Sequence, residues 1–288
     1  MTKRLVSLDV FRGITILFMI LVNTPGSWSY VYPPLRHADW NGCTPTDLVF
    51  PFFLFIVGIS VFFAFKKNNS TLNKKTFLKI SKRVCIIFLL GFLLNLYPFF
   101  DFDNVRIMGV LQRIALAYGI GAVFCLGLGQ RSMQIVLLVL LLGYWAMLFF
   151  LGESTDPYAL EGNIVRTFDL LVLGENHVYK GFGVPFDPEG LLSSIPAVAT
   201  VIIGYLVGQA MSNRDSILRK LRVMAVCGLA MVIAGYLWGM VFPINKALWT
   251  SSYVLYTAGL GTLFFALLIF VIDLKKVVLW TRPFIHFG

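Results

Sequence analysis

Apolar runs of about twenty residues, each nearly free of charge, recur along this chain and confine it to one structural class. Hydrocarbon holds no water for a bare N–H or C=O, so a crossing segment must satisfy its own backbone as a helix or join a closed barrel. The runs here are continuous rather than alternating, which selects helices. By length they fall at roughly 6–24, 47–65, 80–98, 107–128, 132–151, 190–211, 221–242 and 248–272, and another begins near Val277. The expectation is an all-α, polytopic transmembrane helix bundle of about eight to nine spans in one domain over residues 1–288, since no repeat or linker interrupts it. Composition agrees: 13% of the 288 residues are charged, against about a quarter in a soluble domain. Pro25, Trp28 and Tyr30 follow the first run where a leader would carry a small-x-small cleavage site, so that run reads as a span. The last segment, VVLWTRPFIHFG, stops short of a complete span, and the natural protein is expected to continue past Gly288.

The net charge of +10 does not point to nucleic acid, because the basic residues sit between the spans rather than in one patch. The loop 66–83 carries Lys66, Lys67, Lys74, Lys75, Lys79, Lys82 and Arg83. Arg131, then Arg214, Arg219, Lys220 and Arg222, then Lys275 and Lys276 fall on the same side by alternation. That face is expected to be cytoplasmic, with the N-terminus inside. Eleven of the fourteen carboxylates fall on the opposite face, among them Asp39, Asp47, Asp169, Asp187 and Glu189. They are either ordinary loop polarity or a field that draws in a cationic ligand. Two loops on that face, about 24–46 and 152–190, are longer than connectors need to be. The four cysteines show neither a disulfide framework nor a metal spacing, and no metal is expected.

The first long loop holds His37, one of three histidines, with Trp40 after it and Asp47 at the mouth of the second span. An imidazole near neutrality can accept a proton from an amine or carry an acyl group, and a carboxylate can fix its tautomer. Taken alone, the pair reads more readily as a headgroup-level histidine and a helix cap than as a catalytic couple. Within the spans, Asp9 and Arg12 are spaced as an ion pair on one helical face, Asn23 ends the first span, and Gln112 and Arg113 lie in the fourth. Polar groups placed so should face the bundle interior, as a structural pair or a ligand contact. The second long loop brings His177, which can approach His37, and Asp187–Pro188–Glu189, whose order has the grammar of a helix cap. Gly204 and Gly208 read as a small-xxx-small packing face.

Five segments, RLVSLDVFRG (4–13), HADWNG…TDLVFPFFLFIVG (37–58), RIMGVLQRIALAY (106–118), LGENHVY…DPEGLLSSIPA (173–197) and FPINKALWTSSYVL (242–255), together resemble the heparan-alpha-glucosaminide N-acetyltransferase family. The resemblance keeps its order along nearly the whole chain. It implies a membrane enzyme that takes acetyl groups from cytosolic acetyl-CoA, as co-substrate, to the amine of a glucosamine on the far side. The family's active-site histidine falls on His37, its asparagine on Asn23 and its aspartate on Asp47. Trp40, His177, Asp187 and Glu189 then become candidate acceptor contacts, and Arg12, Gln112 and Arg113 candidate coenzyme contacts. Beside the animal enzyme, the resemblance leads one to expect no large luminal domain, and hence an amino sugar or glycan outside a bacterial inner (plasma) membrane as acceptor. A homodimer is implied only by similarity to the animal enzyme.

Coenzyme A phosphates cannot cross hydrocarbon, but the slender pantetheine arm can enter a helix-lined tunnel from the basic side. The competing readings are a sugar or small-molecule transporter and an O-acetyltransferase of an envelope polysaccharide. Both acyl-transfer routes through His37, as acetyl acceptor or as general base, need a neutral imidazole. Activity is therefore expected to fall as pH drops through the ordinary histidine range, near ~6.5. A pH–rate profile flat from about 5 to 8 would rule out a titrating imidazole, provided binding is not limiting.

Overall fold

A chain of successive apolar runs joined by short basic turns on one side and long acidic loops on the other can only fold up and down. The computed structural model, which describes residues 5–66, 71–212 and 216–288, has that arrangement. Arg4, Lys67 and Arg214 lie outside the described residues. Helices α1 (Val6–Asn23), α2 (Val49–Phe65), α3 (Lys74–Leu96), α4 (Val110–Gly127) and α5 (Gln130–Leu151) run in turn between the two ends. The short α6 (Ile164–Leu173) lies in the long loop that follows α5. Then come α7 (Ser194–Ser212), α8 (Ile217–Trp238) and α9 (Ser251–Leu268), the last continuing as a π-turn over Ile269–Leu274. No strand occurs among the described residues.

Seven of these helices are long and apolar enough to cross a membrane. The eighth crossing is α3, whose first half is too rich in lysine to qualify by composition, yet it must connect the inner end of α2 to the outer start of α4. It begins at Lys74 rather than near residue 80 because Asn73 and Thr76 form a reciprocal cap: Thr76 N–H donates to Asn73 Oδ1 at 2.9 Å and Asn73 N–H to Thr76 Oγ1 at 2.8 Å. Beyond Val277 there is a 3₁₀ turn and the six-residue α10 (Arg282–Phe287), which packs on α1.

The helices sort by burial into a centre and a rim. In α7, 72% of the spanning window is buried, against 17% in α5, so α7 is central and α5 peripheral. Ile135, Leu138, Val139 and Leu142 of α5 form an exposed stripe at helical spacing, the pattern of a face turned to lipid. At the centre, α2 and α7 touch backbone to backbone. A Cβ on Gly204 would overlap the Phe55 carbonyl oxygen, and one on Gly58 would overlap the Val201 carbonyl oxygen. The packing face expected of Gly204 is therefore present, and Gly208, whose Cβ would come 3.1 Å from the Phe62 Cβ, extends it.

The loops interlock at both ends. At the basic end, Leu72 N–H donates to Leu126 O at 2.9 Å and Lys66 Nζ to Ser212 Oγ at 2.5 Å. At the other end, Gly42 N–H donates to Ile244 O at 2.7 Å, Trp40 Nε1 to Tyr158 O at 2.9 Å, and Ile107 N–H to His177 O at 3.0 Å. Four loops from different parts of the sequence are thus tied into one cap over the bundle.

Because α2 and α7 leave no room between them, Gly204→Ala should destabilise the bundle by about 1–3 kcal/mol. Gly143→Ala, where a Cβ meets nothing within 4 Å, is the matched control. Thermal unfolding in detergent checks this; equal transitions for the two variants would contradict the packing.

Candidate active site

The cap encloses a cavity of about 270 Å³ whose walls include His37, Asp39, Trp40, Asp47, Arg106, Tyr179, Glu189 and Lys246. Its size is near the lower end for small-ligand pockets, roughly 300 Å³, and suits one small ligand better than an open chain.

His37 is held from below by Asp47. The chain enters α2 through a 3₁₀ turn, Pro45–Leu48, capped reciprocally by Thr44 and Asp47. Asp47 Oδ2 accepts from the backbone N–H groups of Ala38 and Thr44 and from the Thr44 hydroxyl, each at 3.0 Å. Oδ1 is left for His37 Nδ1 at 2.6 Å. An ionised carboxylate can only accept, so Nδ1 carries the proton and Nε2 is left as the acceptor. The cap and the tautomer clamp expected as alternatives are two halves of the same carboxylate. The His37 side chain is 48% exposed, which leaves its far edge open to the cavity.

The opposite wall is a buried charge cluster. Arg106, in the loop before α4, grips Asp187 with two bonds, Nε to Oδ2 at 2.9 Å and Nη2 to Oδ1 at 2.7 Å, and reaches Glu189 Oε2 at 2.5 Å. Its guanidinium lies over the Tyr179 ring, 4.8 Å from the centroid. Burial pushes the Glu189 carboxyl up, but Arg106, Arg113 and Lys246 outweigh it and hold it below the usual range. Asp187–Pro188–Glu189 is not the cap of α7, which begins at Ser194. Those residues form a turn in which Glu189 N–H donates to Asp187 Oδ1 at 2.9 Å, and the stronger claim of Arg106 on the Asp187 carboxylate explains the difference. Trp40, Phe182 and Phe186 add an edge-to-face aromatic wall with ring centroids 5.4–5.8 Å apart.

Lys246 closes the ring. Its Nζ lies 3.1 Å from His37 Nδ1, 3.4 Å from Nε2 and 3.7 Å from Asp47 Oδ1. The turn that carries it is fixed on both sides: Asn245 Oδ1 accepts from Leu248 N–H at 2.8 Å, and Asn245 Nδ2 donates to Asn41 Oδ1 at 3.1 Å. Trp249, fully buried, has a left-handed φ of 52°, a strained conformation for so large a residue. The Arg113 guanidinium stacks 5.0 Å from its ring centroid and donates to Ser193 Oγ.

The other candidates lie elsewhere. The Asn23 amide donates to Met19 O at 2.8 Å, back onto its own helix. His177 Nδ1 is bonded to Val105 O at 2.8 Å and takes no part in the cavity wall. Gln112 is buried against Gly91 and Gly109. Arg113 sits beneath the charge cluster, with Nε and Nη1 buried and unpartnered. Arg12 is nearer the basic end, 3.8 Å from Asp9 Oδ1 and 3.2 Å from Ser60 Oγ. It lines a separate cavity of about 580 Å³ with Arg83 and Tyr118. Among the described residues no cluster of histidine, cysteine or carboxylate groups could hold a metal. Burial, and then Asp47, push the Cys43 thiol up to about 12, which disfavours the thiolate. Arg106 and Lys246 escaped the sequence analysis, since cations are scattered over that face, Arg36, Arg166 and Lys180 among them, and nothing in the residue order marks these two.

A profile of the family described as heparan-alpha-glucosaminide N-acetyltransferase, catalytic, matches residues 4–225. The human heparan-alpha-glucosaminide N-acetyltransferase is 30% identical over an alignment covering 99% of this chain and 51% of that protein. The mouse protein of the same name is 29% identical, over 99% of this chain and 52% of its own length. The chain thus spans about half the length of the curated relatives it matches.

One carboxyl beside the site is held in the wrong charge state for water. Asp169 of α6 accepts from the N–H groups of Leu191 and Leu192, at 3.0 and 3.2 Å, while its Oδ2 is buried with no partner. Gly190 leaves room for it, since a Cβ there would overlap Oδ2. Burial raises the Asp169 pKa to about 7. A raised carboxyl favours the folded state fully below the unfolded value of about 4, and that preference is lost as pH rises to about 7. Wild type should therefore lose stability relative to Asp169→Asn between about pH 4 and 7. Unfolding temperatures measured across that range test this, and a difference independent of pH would contradict it.

Proposed function

Because the chain belongs to the heparan-alpha-glucosaminide N-acetyltransferase family, we propose that it moves an acetyl group from cytosolic acetyl-CoA to the amine of a glucosamine-type sugar at the opposite face of a bacterial inner membrane. The observation that carries this reading is the His37–Asp47 pair, with an unprotonated Nε2 at a cavity on the face opposite the lysine-rich loops. That face would be periplasmic and the N-terminus cytoplasmic, on the charge bias of the loops.

Each wall of the cavity has a use in such a reaction. Asp47 holds the imidazole in the tautomer whose Nε2 either accepts the acetyl group or takes the proton of the acceptor amine. Glu189 and Asp39 bring negative charge to the place where a cationic amino sugar would arrive, and Trp40, Tyr179 and Phe182 offer flat apolar faces to its ring. Asp187 acts through Arg106, which positions Glu189. His177, bonded to Val105 beside Arg106, would support that wall rather than touch the sugar.

The donor side of the reading rests on the second cavity. Arg12 and Arg83 give it positive charge near the lysine-rich end, which suits the phosphates of coenzyme A, and its remaining walls are mostly apolar, which suits the pantetheine arm. Gln112 and Arg113 would meet that arm deeper in the bundle, where buried polar atoms of both lack partners. Asn23 would enter the site only if its amide left Met19.

The test uses full-length protein in liposomes, with labelled acetyl-CoA on the side of the basic loops and glucosamine on the other. N-acetylated product with wild type and none with His37→Ala is expected. Sugar flux without acetylation, unaffected by the substitution, would establish a transporter instead.

A further inference from the structure

We infer that the Lys246 ammonium is the electrophilic group of the site, holding the negative charge that develops on the acyl oxygen while the acetyl group is transferred at His37. The inference rests on the acyltransferase reading above and adds a residue and a role to it.

The geometry starts from the tautomer. His37 Nδ1 gives its proton to Asp47, so the short Lys246–Nδ1 separation of 3.1 Å cannot be a hydrogen bond to that atom. The ammonium instead faces the Nε2 edge, where it can donate at 3.4 Å until the acyl group arrives, and it lies 3.7 Å from Asp47 Oδ1. The nitrogen that attacks the acyl carbon is either Nε2 or an amine bonded to it. In both cases the acyl oxygen forms next to Nε2, within reach of a donor that acts at about 2.7–3.1 Å. Among the described residues, Arg106, Arg113 and Lys246 are the cations in or beneath this cavity. Arg106 is engaged by Asp187 and Glu189, and Arg113 lies beneath the floor against Trp249. Lys246 is the cation that faces Nε2.

The electron accounting is closed. The attacking nitrogen gives its lone pair to the carbonyl carbon, and the C=O pair moves to oxygen beside Nζ. Collapse restores the C=O bond and breaks the C–S bond, and the thiolate leaves. In the direct route, the proton lost by the amine passes through Nε2 to that thiolate. In the acyl-imidazole route, the same oxyanion forms twice: Nε2 attacks the thioester and the C–S bond breaks, then the amine attacks the acyl-imidazole, the C–Nε2 bond breaks, and the freed Nε2 takes the proton that the amine loses. Lys246 keeps its proton throughout, so its role is electrostatic.

Charged groups surround the Lys246 Nζ on several sides. His37 and Asp47 face Nζ from the first outer loop and the start of α2, Glu189 from the turn before α7, and Arg113 from α4. Asp39 and Arg106 complete the charged walls. Burial lowers the Lys246 pKa from 10.5, and Glu189 and Asp47 offset part of that fall. Activity that needs the charged form is lost as pH rises through that lowered value.

The experiment compares wild type, His37→Ala, Lys246→Met and Lys246→Arg in the liposome assay. Lys246→Met should lower kcat by about 10²–10³-fold with KM for both substrates within about threefold. Lys246→Arg, permanently charged, should recover most of the rate and lose the alkaline decline that wild type shows. Unchanged kcat in Lys246→Met, or an alkaline decline identical in wild type and Lys246→Arg, overturns the inference. If Lys246→Met fails to fold, the pH profile of Lys246→Arg decides alone. If wild type transfers no acetyl group, it is the acyltransferase reading that fails. If wild type is active, His37→Ala is silent and Lys246→Met is as fast as wild type, that reading stands and only the role of Lys246 is lost.

Discussion

The outer end of this protein is organised by the cost of taking charge out of water. Asp47, Asp187 and Glu189 are all buried, and each is paired with a cation or a set of N–H donors from another loop. A buried carboxylate left alone costs on the order of 3–5 kcal/mol, so the loops cannot separate without a large penalty. Arg106 binds the loop before α4 to the turn before α7, and Lys246 links the loop before α9 to the start of α2. The ion pairs that close the cavity are therefore also what holds the cap on the bundle.

Beneath the cap, helix packing makes the positions of those loops reproducible. In lipid the hydrophobic effect does little to press one helix against another, and close approach rests on small residues. Gly58 and Gly204 let α2 and α7 touch along their backbones, and these two helices carry the ends from which Asp47 and the Glu189 turn emerge. A fraction of an ångström at that contact would be felt at the cavity, because buried interiors are packed too densely to absorb it. Trp249 shows the same logic in a strained form. Its left-handed backbone, stacked on Arg113 and bounded by the Asn245 bonds, aims the Lys246 turn at His37.

Much of this was legible from the residues alone, and what escaped has physical reasons. Span positions follow from hydropathy, and the separation of a lysine-rich end from an acidic end follows from alternation. His37 and Asp47 could be paired because a histidine and a carboxylate share one loop. Contacts between distant loops could not be read in this way. Arg106 and Asp187 are 81 positions apart, and Lys246 and His37 are 209 apart. No periodicity encodes such a meeting. The capping grammar of Asp187–Pro188–Glu189 misled because a local rule assigns a carboxylate to the nearest helix, whereas a guanidinium arriving from another loop offers it more. Likewise Asn23 and His177 are polar residues of the right kind on the right face, but each finds a backbone carbonyl nearer than the cavity.

The two cavities frame the chemistry proposed for the chain. One lies toward the lysine-rich end and carries Arg12 and Arg83; the other lies under the acidic cap and carries His37. Along α2 and the 3₁₀ turn that leads into it, the lining of the first reaches Phe53 and that of the second reaches Asp47, six residues apart, or about 9–10 Å of helix. That separation is short for a flexible chain and prohibitive for a phosphate, whose transfer into hydrocarbon carries the full penalty of desolvation. A donor with an anionic head and a long neutral arm can keep the head in the basic cavity while its far end approaches the acidic one. On the proposed reading only the acyl group changes sides, so the membrane need not open to either substrate.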